Sequence, residues 1–162
     1  MEYSIRTAKM EDLPVIETIY TRARAFMAEN GNPNQWGNTE PPTAQLLEDI
    51  RVGDLYVVEN DAGIHGVFYF YMGDDPTYEV IHEGSWGSNA PYGTIHRIAS
   101  DGTGGVFAAA LDFCKGKCGH LRIDTHQDNH IMQHVVTKHG FIRRGIIYIA
   151  DGTPRIAYEI FE

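Results

Sequence analysis

The chain has 162 residues, of which 43% are hydrophobic and 22% are charged, as is typical of a folded globular protein. No apolar run approaches the roughly 18 residues needed to cross a membrane, and the N-terminus has no basic segment followed by an apolar one. The sequence therefore predicts neither a transmembrane helix nor a secretory signal. The formal charge of -9 argues against nucleic-acid binding, which usually needs a basic face, and suits a cationic partner better.

The two cysteines, Cys114 and Cys118, are too few for a disulfide framework, so we expect a reduced, cytoplasmic protein. The length allows one domain with a sizeable core, and no repeat or linker divides the chain. Residues 1–162 are therefore predicted to form a single domain.

The N-terminal half predicts a strand, two helices and a hairpin. A short strand is expected at residues 4–7, and apolar residues at three- and four-residue steps predict an amphipathic helix over residues 13–27. A second helix is expected over residues 44–51, capped by the preceding threonine. The hairpin strands are predicted at residues 55–59 and 64–71.

A long polar loop, residues 73–91, opens the C-terminal half, and loops of that length often have a function. Beyond it, strands and helices alternate. The strands are predicted at residues 92–99, 121–125, 142–149 and 156–161, and the helices at 106–113 and 129–138. This order favours one α/β domain with a mixed sheet.

The most informative segment is a glycine-rich turn, residues 100–105, between a strand and a helix. Glycines let a backbone turn tightly and approach a ligand, and the free N–H groups at a helix start favour an anion. Such a turn can hold a phosphate without any lysine. It has neither the glycine spacing of a dinucleotide fingerprint nor the Gly-Lys-Ser/Thr of a nucleoside-triphosphatase loop. A tight turn without a ligand is the alternative.

The order of elements resembles the GCN5-related N-acetyltransferase (GNAT) superfamily over nearly the full chain. Residues 5–8 and 11–13 look like that family's first strand and helix, and residues 101–107 look like its pyrophosphate-binding loop. Asn129 and residues 138–141 look like its coenzyme-A-side helix and closing Gly-Phe. The motifs are individually loose, but their order and spacing together are fairly specific.

The resemblance implies a single α+β domain whose mixed sheet of six to seven strands is splayed near its middle and flanked by about four helices. It implies acetyl-coenzyme A as cofactor, with the pantetheine arm in the gap between residues 95–99 and residues 121–125. Asn129 has a second interpretation, as a helix cap. The implied cofactor contacts are Ile98, Ala99, Ser100, Gly102, Thr103, Gly104, Gly105, Val106, Phe107 and Asn129.

The sequence departs from the family pattern at two places. With Gly105 as the middle glycine of the loop, Gly102 replaces the family's basic residue, and with Gly104 in that role Asp101 does. Many family members also place a proton-donating tyrosine four residues before the closing Gly-Phe, where this chain has Val136. Tyr148, on the penultimate strand, is predicted to replace that acid, and simple packing of the ring is the alternative interpretation.

The implied reaction is acetyl transfer to a primary amine of a small molecule or peptide, by direct attack in a ternary complex. A base must first take a proton from the ammonium, whose free pKa is about 10. His96 is the predicted base, because it lies on the strand that would meet the acetyl group. Asp124 with His126 is the second candidate, and Glu83 is the third. An ordinary strand histidine is the alternative interpretation of His96.

Three aromatic residues are predicted to wall the substrate site. Trp36 follows the break between the first two helices, and Tyr78 and Trp86 belong to the long loop. Packing between loop and sheet is the alternative for all three. The expected partner is an amine, with no nucleic acid and no membrane, and the closing hairpin could pair two chains into a homodimer.

Two other classes of function remain open. A non-catalytic module with the same fold is favoured by Val136 and the non-basic loop. A metal protein is suggested by His126, His130 and His134, which are spaced by four, although exposed helix histidines explain the spacing equally simply. We predict no bound metal.

Overall fold

Seven strands and four α-helices form the part of the chain that the computed structural model describes, residues 2–161. The helices are α1 (Leu13–Glu29), α2 (Thr43–Val52), α3 (Val106–Lys117) and α4 (His130–Lys138). The strands are β1 (Ser4–Thr7), β2 (Leu55–Asn60), β3 (Gly63–Met72), β4 (Gly93–Ser100), β5 (Leu121–Thr125), β6 (Ile142–Tyr148) and β7 (Pro154–Ile160).

The strands form one mixed sheet in the order β1-β2-β3-β4-β5-β7-β6. Every neighbouring pair is antiparallel except β4 and β5, which run parallel. The predicted α+β domain with a mixed sheet and four helices is thereby confirmed. β4 and β5 pair only through Gly93 with Leu121 and Thr94 with Arg122, after which they separate. A gap opens between these two strands in the middle of the sheet.

A bulge in β4 determines which backbone groups face this gap. Gly93 donates to the His120 carbonyl, so alternate residues from Gly93 onward face β5. The register with β3 then shifts by one residue, where Arg97 has a φ of 52°. An extra residue reverses the alternation, so Ile98 and Ser100 face the gap. The Tyr20 hydroxyl donates to the Arg97 carbonyl at 2.7 Å and holds the bulge against α1.

Helices cover both faces of the sheet. Successive strand residues point to opposite faces, so Val57 packs with α1 and α2, whereas Val58 packs with α3. A third, smaller cluster lies beneath the long loop. Its buried members are Tyr78, Tyr92, Ile147 and Ala157.

Two predictions about helix ends are wrong. Thr43 is the first residue of α2 rather than its cap, because Pro42 precedes the helix in an extended conformation, and the Thr43 hydroxyl donates to Glu17 instead. α3 continues past Phe113 to Lys117, since a glycine inside a helix is tolerated when neighbouring residues pack. None of the helices within residues 2–161 is long and apolar enough to span a bilayer.

Candidate active site

Two cavities meet where the sheet opens. The first cavity has a volume of about 450 Å³ and lies on the side of the long loop, and the second has about 530 Å³ and lies against the glycine-rich turn. Volumes of this size suit small-molecule ligands. Four residues line both cavities, namely Met27, Ile98, Asn129 and Met132. The shared lining places the junction beside the unpaired part of β4.

Three backbone amides of the glycine-rich turn donate hydrogen bonds within the protein. The Asp101 amide donates to the His65 carbonyl at 2.9 Å, and the Thr103 amide donates to Asp101 Oδ1 at 3.0 Å. The Gly102 amide makes a longer contact, 3.3 Å, with the Ser100 hydroxyl. These three amides fix the shape of the turn and are not available to an anion without rearrangement.

The following amides, from Gly104 to Ala108, have no hydrogen-bond partner among residues 2–161. α3 begins at Val106 without a side-chain cap, and the first amides of a helix have no carbonyl one turn behind them. Gly105 has a φ of 86°, a conformation that glycine adopts without strain, and a Cβ at Gly104 would meet only open space. Exposed amides at a helix start suit a diphosphate.

The turn is supported by a histidine from β3. His65 Nδ1 lies 2.8 Å from Asp101 Oδ2, and Nε2 lies 2.8 Å from Asn60 Oδ1. The Ala62 amide donates to that same Oδ1 at 2.9 Å, which identifies it as the oxygen. The Thr103 hydroxyl lies 3.3 Å from the same Nδ1. Burial would raise the pKa of Asp101, but hydrogen bonds from Thr103 and His65 lower it, so Asp101 is a carboxylate in a loop that lacks a basic side chain.

A hydrogen-bonded polar cluster surrounds His96 in the first cavity. His96 Nε2 lies 2.7 Å from Asp75 Oδ2, and Nδ1 lies 3.7 Å from Asp124 Oδ2. The Tyr78 hydroxyl donates to the same Asp124 oxygen at 2.7 Å. β4 supplies His96 and β5 supplies Asp124, so the opening of the sheet brings the cluster to the junction of the cavities.

The charge states within this cluster follow from its contacts. Burial would raise the pKa of Asp75, but hydrogen bonds from His96 and Thr77 lower it to about 2. Asp75 is therefore a carboxylate at neutral pH and can only accept, so Nε2 of His96 carries the proton. Nδ1 is the ring nitrogen that faces Asp124. Burial and the neighbouring Asp124 raise the pKa of Tyr78 well above its usual value, so its hydroxyl stays a donor.

The structure brings five predicted site residues to the first cavity, namely Trp36, His96, Ile98, Asp124 and Asn129. His96 and Asp124 line it as described, and the Trp36 ring lies edge-on to Tyr20 in its wall. Asn129 lies at the junction. Its Oδ1 accepts from the Met132 amide, the predicted helix cap, and its Nδ2 donates to Gln35 Oε1 at 3.0 Å.

Other predicted residues lie outside the lining of both cavities, among them Thr103, Gly104 and Gly105 of the glycine-rich turn and Tyr78, Trp86 and Tyr148. Tyr78 is fully buried and contacts Asp124 from behind. Trp86 covers the Arg122 guanidinium at 4.0 Å, which is packing between loop and sheet, the alternative considered for it. Tyr148 is an exposed residue of β6 whose ring contacts His82.

Sequence reasoning missed Asp75, Gln35 and Arg155. Asp75 is brought to His96 by the fold of the long loop, where its amide donates to the Tyr92 hydroxyl. Gln35 and Arg155 line the first cavity from elements far apart in the chain. The only local signal was the unusual length of the loop, since the contacts themselves are tertiary.

The histidines proposed as metal ligands do not converge. Within residues 2–161 no group of three or more histidine, cysteine, aspartate or glutamate side chains is arranged to hold a metal ion. His130 and His134 are exposed on α4. Burial and the nearby Arg155 lower the pKa of His126, whose Nδ1 accepts from the Asp128 amide.

A splayed parallel strand pair, with free helix amides on one side and a cavity on the other, is the architecture of an acetyltransferase fold. No family model and no curated protein matches the sequence. Among solved structures, the chain is similar to an acetyltransferase of the GNAT family from Streptococcus agalactiae, with 28% identity, a TM-score of 0.88, and coverage of 99% of this chain and 95% of that one.

Two further solved structures share the fold. One is a GNAT-family acetyltransferase from Listeria monocytogenes, with 15% identity, a TM-score of 0.67, and coverage of 100% of this chain and 96% of that one. The other is an N-acetyltransferase from Staphylococcus aureus, with 18% identity, a TM-score of 0.61, and coverage of 99% of both chains. The chain belongs to the GNAT superfamily, as its element order predicted.

Proposed function

We propose that the protein is an acetyl-coenzyme-A-dependent N-acetyltransferase that acetylates a primary amine in a ternary complex. The observation that carries the proposal is the meeting of two cavities at the gap between β4 and β5. Unpartnered amides border one side, and the His96 cluster borders the other. Two ligands could therefore occupy the protein together and meet beside Ile98.

The residues present fit coenzyme A without a basic side chain. The amides from Gly104 to Ala108 would hold the diphosphate, and Gly104 leaves room for its close approach. Ile98 and Ser100 face the gap with unpaired backbone groups, which could bond an extended arm as a neighbouring strand would. When bound, acetyl-coenzyme A supplies an acetyl thioester, which the acceptor amine attacks with loss of the thiol.

His96 would remove the proton from the acceptor ammonium. Its Nε2–H donates to Asp75, so Nδ1 is the nitrogen that would take the proton. Asp124, 3.7 Å from that nitrogen, would attract the ammonium before it loses its charge. The resulting imidazolium would lie between two carboxylates, which stabilise it as the third residue of a catalytic triad does.

The departing thiolate does not require a tyrosine as its proton donor. A thiol has a pKa of about 8.5, so a thiolate leaves tolerably well near neutral pH. The imidazolium of His96 or solvent could return the proton. Val136, fully buried in the core cluster beneath α3, is then compatible with turnover.

A non-catalytic module that binds coenzyme A is the second candidate, favoured by Val136 and by a loop that carries Gly102 or Asp101, depending on the register, where the family has a basic residue. The two are separated by offering acetyl-coenzyme A with a panel of amines and measuring both cofactor binding and thiol release. Binding with amine-dependent release supports the enzyme, and binding without release for any amine supports the module.

A further inference from the structure

Arg155 is a buried cation in the wall of the first cavity. It belongs to β7 and only 5% of its surface is exposed. Its guanidinium donates to three neutral oxygens, at 3.1 Å to the Thr153 hydroxyl, 2.8 Å to the Pro154 carbonyl and 3.4 Å to the Gln35 carbonyl. The side chain is thus held in place by groups that do not balance its charge.

No carboxylate among residues 2–161 forms an ion pair with Arg155, whereas Arg97, the other guanidinium in the cavity wall, pairs with Asp49. Burial lowers the pKa of Arg155, against the weaker attraction of Asp124 and Asp151. A buried charge without an ionic partner is costly to a folded protein. An apolar side chain at this position would stabilise the fold more than an unpaired guanidinium does. The charge is therefore better explained by the binding of an anionic ligand.

The opposite charges of the cavity lie close to Arg155 on the same face of the sheet. Asp124 of β5 is paired with Ala157 of β7, and Arg155 lies two residues farther along that strand. Residues two apart share a face and their Cα atoms are separated by about 7 Å. Glu40, Asp124 and Asp151 all contribute to the same wall. The first cavity therefore holds a buried guanidinium and carboxylates on the same face of two neighbouring strands.

We propose that the acceptor is an α-amino acid, whose carboxylate binds Arg155 while its amine is directed to His96 and Asp124. This inference rests on the proposed N-acetyltransferase function and adds the class of its substrate. A planar guanidinium can bind a carboxylate through two parallel hydrogen bonds, which fixes the orientation of the amine as well as adding affinity. A polyamine or a peptide amide would leave the buried charge of Arg155 without a partner.

The test compares each amino acid with its own carboxamide. A panel of the common L-amino acids, their carboxamides, spermidine and a tripeptide amide is offered with acetyl-coenzyme A, and kcat and KM are measured. At least one amino acid is expected to be acetylated with a KM about 30-fold lower than that of its carboxamide. Equal or better use of the carboxamides, spermidine or the peptide amide would overturn the amino-acid inference while leaving acetyl transfer intact.

Variants at Arg155 provide a second test of the proposal. Arg155→Met should raise the KM for the amino acid about 30-fold with little effect on the carboxamide, and Arg155→Lys should restore part of the difference because it keeps the charge without the planar fork. Arg143→Met, the same change at an exposed arginine of β6, is the matched control. A KM for the amino acid that is unchanged in Arg155→Met contradicts the proposal.

A binding measurement separates this proposal from the enzymatic one. Without acetyl-coenzyme A, the preferred amino acid should raise the Tm of the wild-type protein and not that of Arg155→Met, whereas its carboxamide should raise neither. If no amine in the panel is acetylated but the amino acid still shifts the Tm through Arg155, the transferase function fails and the carboxylate site stands. A Tm shift that is equal for acid and carboxamide overturns the site.

Discussion

His96 Nε2 lies 2.7 Å from Asp75 Oδ2, so a carboxylate from the long loop fixes the tautomer of the histidine that faces the gap in the sheet. The loop is anchored for this contact, because the Asp75 amide donates to the Tyr92 hydroxyl and Asp75 Oδ1 accepts from Thr77. The second ring nitrogen of His96, Nδ1, lies toward Asp124, which lines the first cavity. A segment that the sequence marks only by its length thus orients the candidate base.

Replacing Asp75 by asparagine should lower kcat about 10- to 100-fold with little change in the affinity for acetyl-coenzyme A. The amide can donate to Nε2, which would favour the wrong tautomer and occupy the wrong nitrogen with hydrogen. Steady-state kinetics and a cofactor titration check both parts. Asp74→Asn, at the exposed neighbouring position, is the control and should behave as wild type. An undiminished kcat in Asp75→Asn would remove Asp75 from the mechanism.

Asp75→Asn should also show that part of the free energy of unfolding depends on pH. The pKa of Asp75 falls from 3.8 to about 2 on folding, so its ionised form stabilises the native state above its unfolded pKa. That contribution, on the order of 2 kcal/mol, should be lost as the pH falls through 2. The difference in unfolding free energy between wild type and Asp75→Asn should therefore be constant above pH ~5 and shrink below it. Urea melts at several pH values measure it, and a difference that grows in acid would contradict the assignment.

Replacing His96 by alanine should lower turnover most at low pH. An amine with a pKa of about 10 is almost wholly protonated near neutral pH, and its dependence on a base weakens as the pH approaches that value. The ratio of wild-type to variant kcat/KM should therefore be largest at low pH and decrease toward pH ~10. His134→Ala, at an exposed site on α4, is the control. A ratio that does not depend on pH would exclude His96 as the base.

Placing a carboxylate at Gly104 should abolish binding of coenzyme A. The position has open space for a side chain, so Gly104→Asp tests charge rather than steric strain. An anion among the exposed amides would repel the diphosphate and occupy its donors. Gly116→Asp, also in open space but at the far end of α3, should bind normally. Calorimetric titration decides the matter, and retained affinity in Gly104→Asp would place the phosphates elsewhere.

Much of the fold was predictable because its signals are local. The cap at Asn129 and the strand Leu121–Thr125 follow from short patterns, and the structure has both where they were expected. The role of Thr43 was predicted wrongly, because the choice between cap and first helical residue depends on a contact with Glu17 that lies outside the local pattern.

The candidate site was predictable only in part. The strand order brings His96 and Asp124 to one gap, and the resemblance to a known superfamily supplied that order. The partners Asp75 and Arg155 could not be predicted, since each depends on how a distant segment folds back on the cavity. Tyr148, the predicted substitute for the missing acid, lies on the edge strand β6 with its ring against His82, a contact that no local pattern indicates.

A crystal structure of the protein with acetyl-coenzyme A tests the central claim most directly. We predict diphosphate oxygens within hydrogen-bond distance of the amides between Gly104 and Ala108, and the pantetheine arm beside the backbone of Ile98 and Ser100. A cofactor bound away from those amides, or a β4–β5 gap that stays closed to it, would contradict the account.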